Sequence, residues 1–332
     1  MKHPTISSIG LAVLAGISLV TPTFAVVSID YAFIGNANNA ADPATGSLYG
    51  AVASNYKLAK NETTISQYAE FLNAVAKTDT YGLYSVGMTT SYINGISRSG
   101  SSGSYSYSVN PGSGNKPITY VSWFDAARFC NWMQNGQPVG AQNAGTTEGG
   151  AYTLNGATSG VSVSKNVGAT VWIPSEDEWY KAAYYDPNKG GAGVGGYWPY
   201  PTQSNTITTN DIGVTGAANC LDVNGFATYT GGTSWGITDV GAYGANSDSA
   251  YGTNDQGGNV NEWNDTIIHT SRGLRGGAWV DNDYGLASSA IGGNGPSLEN
   301  YFFGFRVASV PEPSCVVLTI LASGMLVTRR KR

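Results

Sequence analysis

The chain has 332 residues, a formal net charge of −5 and only 12% charged residues, whereas it contains 45 glycines and 21 tyrosines. It lacks the basic excess that marks nucleic-acid-binding proteins, so we expect no nucleic-acid partner. Two histidines and three cysteines are too few for most catalytic metal centres, which need several imidazole or thiolate ligands. The length allows one large domain or two small ones.

The first 25 residues have the pattern of a secretory signal peptide. Lys2 and His3 precede an apolar run over residues 9–20, and the segment ends in a small residue, Ala25. Signal peptidase removes such segments, and they are not part of the fold. We therefore expect an exported chain of about residues 26–311, with twelve basic and 21 acidic residues and a net charge of about −9.

Three segments carry the capping-box pattern of a helix N-terminus, in which Ser or Thr is followed three residues later by a side chain that reaches back. Thr64 and Gln67 open a helix over residues 65–77, whose apolar residues share one face. The same pattern starts a second helix at Ser122, to about residue 134, and a third at Ser175, to about residue 184.

Short strands and long loops are expected between the helices. Residues 151–154, 161–164 and 169–173 have the composition of strands joined by turns. Residues 304–308 are expected to form a final buried strand. Residues 85–114 contain few aliphatic side chains, which predicts a surface loop or a weak hairpin.

The C-terminus combines a Pro-Glu-Pro turn at residues 311–313, an apolar run over 315–328 and a basic cluster over 329–332. This arrangement resembles the PEP-CTERM sorting signal of Gram-negative bacteria, which an exosortase cuts. The alternative is an ordinary membrane anchor, but the run is shorter than the roughly 17–25 residues of a spanning helix. The resemblance implies that residues 310–332 form a sorting signal with a short transmembrane segment, and that the protein is held briefly in the inner membrane before it reaches the cell surface or extracellular matrix.

Six blocks occur in a fixed order in the central part of the chain. They are residues 62–68 (ETTISQY), 121–132 (VSWFDAARFCNW), 172–183 (WIPSEDEWYKAA), 255–263 (DQGGNVNEW), 274–279 (LRGGAW) and 304–307 (GFRV). Together they resemble the formylglycine-generating enzyme, or sulfatase-modifying factor, family over roughly residues 56–309. The resemblance implies a domain over residues 26–309 with an irregular mixed α/β fold of the C-type lectin kind: two main helices, short antiparallel sheets and long loops.

The family binds copper through two cysteines, and the resemblance places these positions at about Asp281 and Leu286. Neither residue can supply the soft thiolate that holds Cu(I), so we expect neither copper nor iron and no catalytic residue. Cys130 matches a family cysteine whose partner position is Val307 in this chain. Cys130 is therefore expected to be a buried thiol, with a Cys130–Cys220 disulfide as the alternative.

The resemblance also implies a structural calcium ion at the fourth block. Its ligands would be the side chains of Asp255 and Glu262 and the backbone carbonyls of Gly258 and Val260. Asn219 would belong to a second calcium site upstream. Oxygen ligands on a glycine-rich turn suit Ca²⁺, and the alternative is a solvated acidic loop.

These observations favour a secreted, surface-displayed, non-catalytic binding or matrix module, with extracellular polysaccharide or a surface protein as its partner. The alternative is a metal-dependent oxidase or hydroxylase of the same superfamily with a non-standard site. Tyr105, Tyr107 and the aromatic residues of 197–200 are candidates for stacking on sugars. Core packing is expected for five tryptophans, namely Trp123, Trp132, Trp179, Trp263 and Trp279.

Overall fold

The computed structural model describes residues 26–90, 92–207, 209–221 and 236–311. The predicted signal peptide and nearly all of the predicted sorting signal, including the apolar run over 315–328, lie outside these residues. Within the described ranges, no helix is long and apolar enough to cross a membrane.

Three of the four helices begin at the capping boxes that the sequence predicts. In each, the Ser or Thr side chain accepts a hydrogen bond from the N3 amide, and the N3 side chain accepts one from the cap amide. These reciprocal bonds satisfy donors that a helix N-terminus otherwise leaves unpaired. Helices α1–α4 span Ile65–Val75, Trp123–Gln134, Glu176–Tyr184 and Asp283–Leu286.

The described strands form two four-stranded sheets and two hairpins. Sheet one has the order β1 (Tyr31–Ile34), β2 (Tyr56–Ala59), β12 (Ala308–Ser309) and β5 (Val171–Trp172). Sheet two has the order β10 (Gly292–Asn294), β9 (Ser271–Arg275), β8 (Asn261–Ile268) and β11 (Phe303–Gly304). The hairpins are β3 (Ile96–Ser99) with β4 (Ser106–Val109), and β6 (Tyr185–Asp186) with β7 (Gly196–Tyr197). Among the strands of the described ranges, only the β8–β11 pair is parallel.

Aromatic side chains hold the helices against the sheets. Phe129 of α2 meets both Phe71 of α1 and Phe305 edge to face, each at a centroid distance of 5.4 Å. Such pairs add about 0.5–1.5 kcal/mol each to the burial of their area. The predicted core role of the five tryptophans is confirmed, because none is more than 7% exposed.

Two of the predicted strands, 151–154 and 161–164, are wrong. This segment forms only one isolated bridge, between Tyr152 and Lys165. The Asn131 side chain takes the place of a neighbouring strand, since it accepts from Tyr152 N at 2.7 Å and donates to Tyr152 O at 3.0 Å. One side-chain amide thus satisfies backbone groups that would otherwise need a sheet partner.

The hairpin predicted within residues 85–114 is present as β3 and β4, but the segment is not a surface loop. Met88 and Ile96 are fully buried, and the Tyr107 hydroxyl donates to Ala76 O beyond the end of α1. The predicted last strand over residues 304–308 is divided into β11 and β12. The chain passes there from one sheet to the other through three fully buried residues, 305–307.

Candidate functional site

A glycine turn after β9 brings α4 against the rest of the domain. Gly276 and Gly277 have φ angles of +96° and +66°, in the left-handed region that suits glycine. A Cβ on Gly277 would lie 2.7 Å from Leu286 Cδ1. Arg275, the last residue of β9, is held by a 2.6 Å ion pair with Glu176. These contacts fix the segment that carries Asp281 and Leu286.

Asp281 and Leu286 both make structural contacts. Asp281 Oδ2 accepts hydrogen bonds from Asn261 Nδ2 at 3.0 Å and from Ala278 N at 2.9 Å. Leu286 is fully buried in a small apolar cluster that includes Cys220. A hydrogen-bonded carboxylate and a buried alkyl group offer no thiolate to a copper ion.

The two described cysteines are both buried. Cys130 and Cys220 are buried in separate apolar clusters and form no disulfide. The prediction of a buried Cys130 thiol is confirmed, and burial raises the pKa of this thiol well above its usual value. In the described part of the chain, no group of three His, Cys, Asp or Glu residues is placed to hold a metal ion.

The turn before β8 brings together residues that the sequence predicts as calcium ligands. Asp255, Gly258 and Asn259 have φ angles of +57°, +86° and +61°. A Cβ on Gly258 would lie 2.3 Å from Asn219 O, so only glycine allows this approach. Asn259 N donates to Asn219 O at 2.8 Å. Asn219 and Gly258, far apart in sequence, are therefore adjacent.

Glu262, the second residue of β8, is the acceptor in a buried ion pair. Arg306 donates to both of its carboxylate oxygens, from Nε at 2.6 Å and from Nη2 at 2.7 Å. Trp179 Nε1 donates to Oε2 at 2.8 Å. Glu262 and Arg306 are both fully buried, and Val260 beside them is also fully buried.

Two further carboxylates surround this pair. Asp255 Oδ2 accepts from Gly241 N, and burial raises the pKa of Asp255 to about 6. Glu62, which the sequence did not single out, is only 2% exposed and accepts from Asn259 Nδ2 at 3.1 Å. Burial raises the pKa of Glu62 well above its usual value, and the neighbouring Asp255 raises it further.

The three carboxylates have Arg306 as their shared buried cation, which leaves negative charge to be neutralised by protons or a cation. Within the described residues, Glu62 Oε2 and Asn219 Oδ1 are buried acceptors without a donor. Hard oxygen ligands and excess negative charge fit Ca²⁺. Because Arg306 holds Glu262, the oxygen atoms left to a cation are those of Asp255 and Glu62, with the uncharged Asn219 as a third, so the group falls short of three free acidic ligands.

The aromatic residues that the sequence offers for sugar stacking differ in exposure. Tyr107 is 4% exposed and has no free face. The half-buried Tyr197 donates its hydroxyl to Ala40 O at 2.7 Å, and its ring lies against Tyr185 at 5.1 Å. The half-buried Tyr105 lies under the guanidinium of Arg98 at 4.3 Å. Of the two tyrosines proposed in the first of these segments, Tyr107 is therefore a core residue.

Comparison with solved structures places this architecture among known folds. Treponema denticola variable protein 1 is 18% identical, with 87% of this chain and 98% of that chain covered and a TM-score of 0.50. CarF is 19% identical, with 86% of this chain and 99% of CarF covered and a TM-score of 0.49. PvdO from Pseudomonas aeruginosa is 16% identical, with 78% of this chain and 82% of PvdO covered and a TM-score of 0.42.

A search of curated protein sequences found no significant match. The family model for the sulfatase-modifying factor enzyme 1-like domain matches residues 35–310, which is most of the chain and includes all six sequence blocks. The protein therefore belongs to the family of sulfatase-modifying factor enzyme 1-like domains and has its mixed α/β, C-type lectin-like fold.

Proposed function

We propose that this protein is an exported, non-catalytic member of its family that serves as a binding module at the cell surface, with extracellular polysaccharide as its partner. The proposal rests on Asp281 and Leu286, which occupy the two positions where the family resemblance places copper-binding cysteines. Asp281 is tied to Asn261 and to a backbone amide, and Leu286 is part of the core. The buried thiol of Cys130 is held protonated, and a protonated thiol is neither a nucleophile nor a metal ligand.

The assay that tests this proposal is cysteine oxidation in a Cys-x-Pro-x-Arg peptide, with oxygen and copper supplied. The purified protein is expected to oxidise no more peptide than copper alone, and Cys130→Ser and Cys220→Ser should behave in the same way. The competing function, a metal-dependent oxidase or hydroxylase with a non-standard site, requires stoichiometric copper or iron in the purified protein, and in its formylglycine-generating form it also requires turnover above the copper blank. Turnover that disappears in either variant would overturn the proposal.

Export is supported by the two end segments of the sequence, which lie outside the described residues. We expect signal peptidase to cut after about Ala25 and an exosortase to cut near the Pro-Glu-Pro turn at residues 311–313. Intact-mass analysis of protein recovered from the cell surface checks both cuts. A mature species that retains residues 329–332 would contradict exosortase processing.

A bound calcium ion would stabilise the module rather than take part in chemistry. The carboxylate of Asp255, the free Oε2 of Glu62 and the free Oδ1 of Asn219 are the oxygen atoms that would hold it. What supports this assignment is the excess of buried carboxylates over the single guanidinium of Arg306.

A further inference from the structure

A surface cavity of about 590 Å³ lies beside the turn that carries Trp279. It is lined by Thr90, Tyr92, Tyr120, Trp279 and Tyr301. The volume falls within the roughly 300–1,000 Å³ of small-molecule sites. The rings of Trp279 and Tyr301 meet at a centroid distance of 6.0 Å and are inclined by 60°, so they form two walls of the cavity. None of these residues was expected to bind a ligand.

The lining carries hydroxyl groups that no described residue occupies. The hydroxyls of Tyr92, Tyr120 and Tyr301 make no hydrogen bond to another described residue. Thr90 Oγ1 and Trp279 Nε1 also lack a partner within the described ranges, but both atoms are buried below the cavity surface. Other tyrosines of this protein do use their hydroxyls internally, as Tyr107 and Tyr180 show. The cavity thus combines aromatic faces with unused hydrogen-bonding groups.

The backbone at Tyr120 is strained to place its ring in the cavity wall. Tyr120 has a φ of +56°, which is rare for a bulky side chain. A Cβ on Gly87 would lie 2.4 Å from the Tyr120 ring, so glycine at 87 makes room for it. Tyr120 N donates to Asn300 O at 2.8 Å, which holds the conformation. Strain that surrounding contacts maintain is typical of ligand-binding positions.

The lining carries no charged side chain among the described residues. An anionic ligand would need an Arg or Lys partner, and an organic cation is favoured by nearby carboxylates as well as by aromatic faces. A neutral sugar ring needs neither, because it has an apolar C–H face for stacking and hydroxyls around its edge. We propose that this cavity binds a neutral sugar residue of a polysaccharide, packed against the ring of Tyr301 and the exposed edge of Trp279 and hydrogen-bonded by the hydroxyls of Tyr92, Tyr120 and Tyr301.

This inference rests on the proposed binding function and locates its site. Calorimetric titration of the purified protein with neutral oligosaccharides of glucose, galactose, mannose and N-acetylglucosamine tests it. At least one is expected to bind, whereas an oligomer of galacturonic acid and tetramethylammonium are not. Tyr92→Ala, at a residue that is 66% exposed, should weaken binding about tenfold because it removes one aromatic contact. Tyr301→Phe removes only a hydroxyl and should weaken it about three- to tenfold.

Tyr284→Ala is the matched control, because Tyr284 is 75% exposed and lies on α4 outside the cavity. It should leave the affinity unchanged. Binding of a neutral sugar that both cavity variants retain would overturn the assignment of the site while leaving a binding module. Binding of none of the neutral oligosaccharides, or of tetramethylammonium in their place, would overturn the ligand class. Failure of the proposed function is seen separately, as copper-dependent turnover in the peptide assay.

Discussion

Replacement of Arg306 by methionine is expected to lower the free energy of unfolding by about 3–5 kcal/mol, because it leaves a buried carboxylate without its partner. Arg306 binds both oxygens of Glu262 and donates to three backbone carbonyls. Burial opposes the charge on Arg306, but Glu262, Glu62 and Asp255 outweigh it and raise the pKa of the guanidinium. Its loss would therefore leave three neighbouring carboxylates without a buried counter-charge.

Denaturant unfolding in EDTA measures this loss of stability, which corresponds to a fall in Tm of roughly 5–9 °C. Lys60→Met is the control, since the Lys60–Asp30 pair is 39% and 72% exposed and such pairs contribute at most about 1 kcal/mol. Adding Glu262→Gln to Arg306→Met should recover part of the loss by removing the unpaired charge. An Arg306→Met variant as stable as Lys60→Met would contradict the central place of this ion pair in the fold.

Calcium is expected to raise the free energy of unfolding by about 2.7 kcal/mol at a free concentration of 100 Kd. For a domain of this size, the gain corresponds to a rise in Tm of roughly 5 °C. The physical reason is that Ca²⁺ neutralises the mutual repulsion of Asp255 and Glu62 and satisfies buried oxygen atoms. Thermal unfolding in EDTA and in millimolar calcium measures the shift.

Asp255→Asn should abolish most of the calcium shift, because it removes a carboxylate that Arg306 does not hold bidentately. Asp283→Asn should keep the shift, since Asp283 lies on α4 away from this cluster. Glu262→Gln is less informative alone, because it also breaks the pair with Arg306. Equal melting temperatures with and without calcium would leave Asp255 and Glu62 as carboxylates that are neutralised by protons.

Features set by neighbouring residues were predictable from the sequence. The three capping boxes fix where α1, α2 and α3 begin, because each needs only two side chains within one turn. Gly258 likewise marks a turn that requires glycine, because a Cβ at this position would collide with the backbone oxygen of Asn219. Both kinds of signal act over short range or through a residue type with a unique conformational freedom.

The longest described strand, β8, had no usable sequence pattern. Its alternation of apolar residues is broken by Glu262 and Asn264, which are both fully buried. Each is satisfied by a distant partner, Glu262 by Arg306 and Asn264 by a 2.7 Å bond to Glu176. Only the assembled fold supplies these partners, so the buried polar positions resemble surface positions in the sequence.

The cluster around Arg306 and the aromatic cavity were missed for a related reason. Glu62 and Asn259 are 197 positions apart and meet at 3.1 Å. The cavity is lined by Tyr92, Trp279 and Tyr301, and Tyr92 is far from the other two in the sequence. Local composition instead pointed to tyrosine-rich segments, such as the one at Tyr107, whose side chains are used in packing. Proximity in space, not in sequence, defines both sites.

The metal content of the purified protein tests most directly the proposal that this protein has no copper–thiol site. The protein is incubated with copper under reducing conditions, unbound metal is removed, and copper, iron and calcium are then measured together. Because Asp281 is hydrogen-bonded and Leu286 is buried, the predicted result is calcium without stoichiometric copper or iron. One copper or iron ion per chain that is lost in Cys130→Ser or Cys220→Ser would contradict the account.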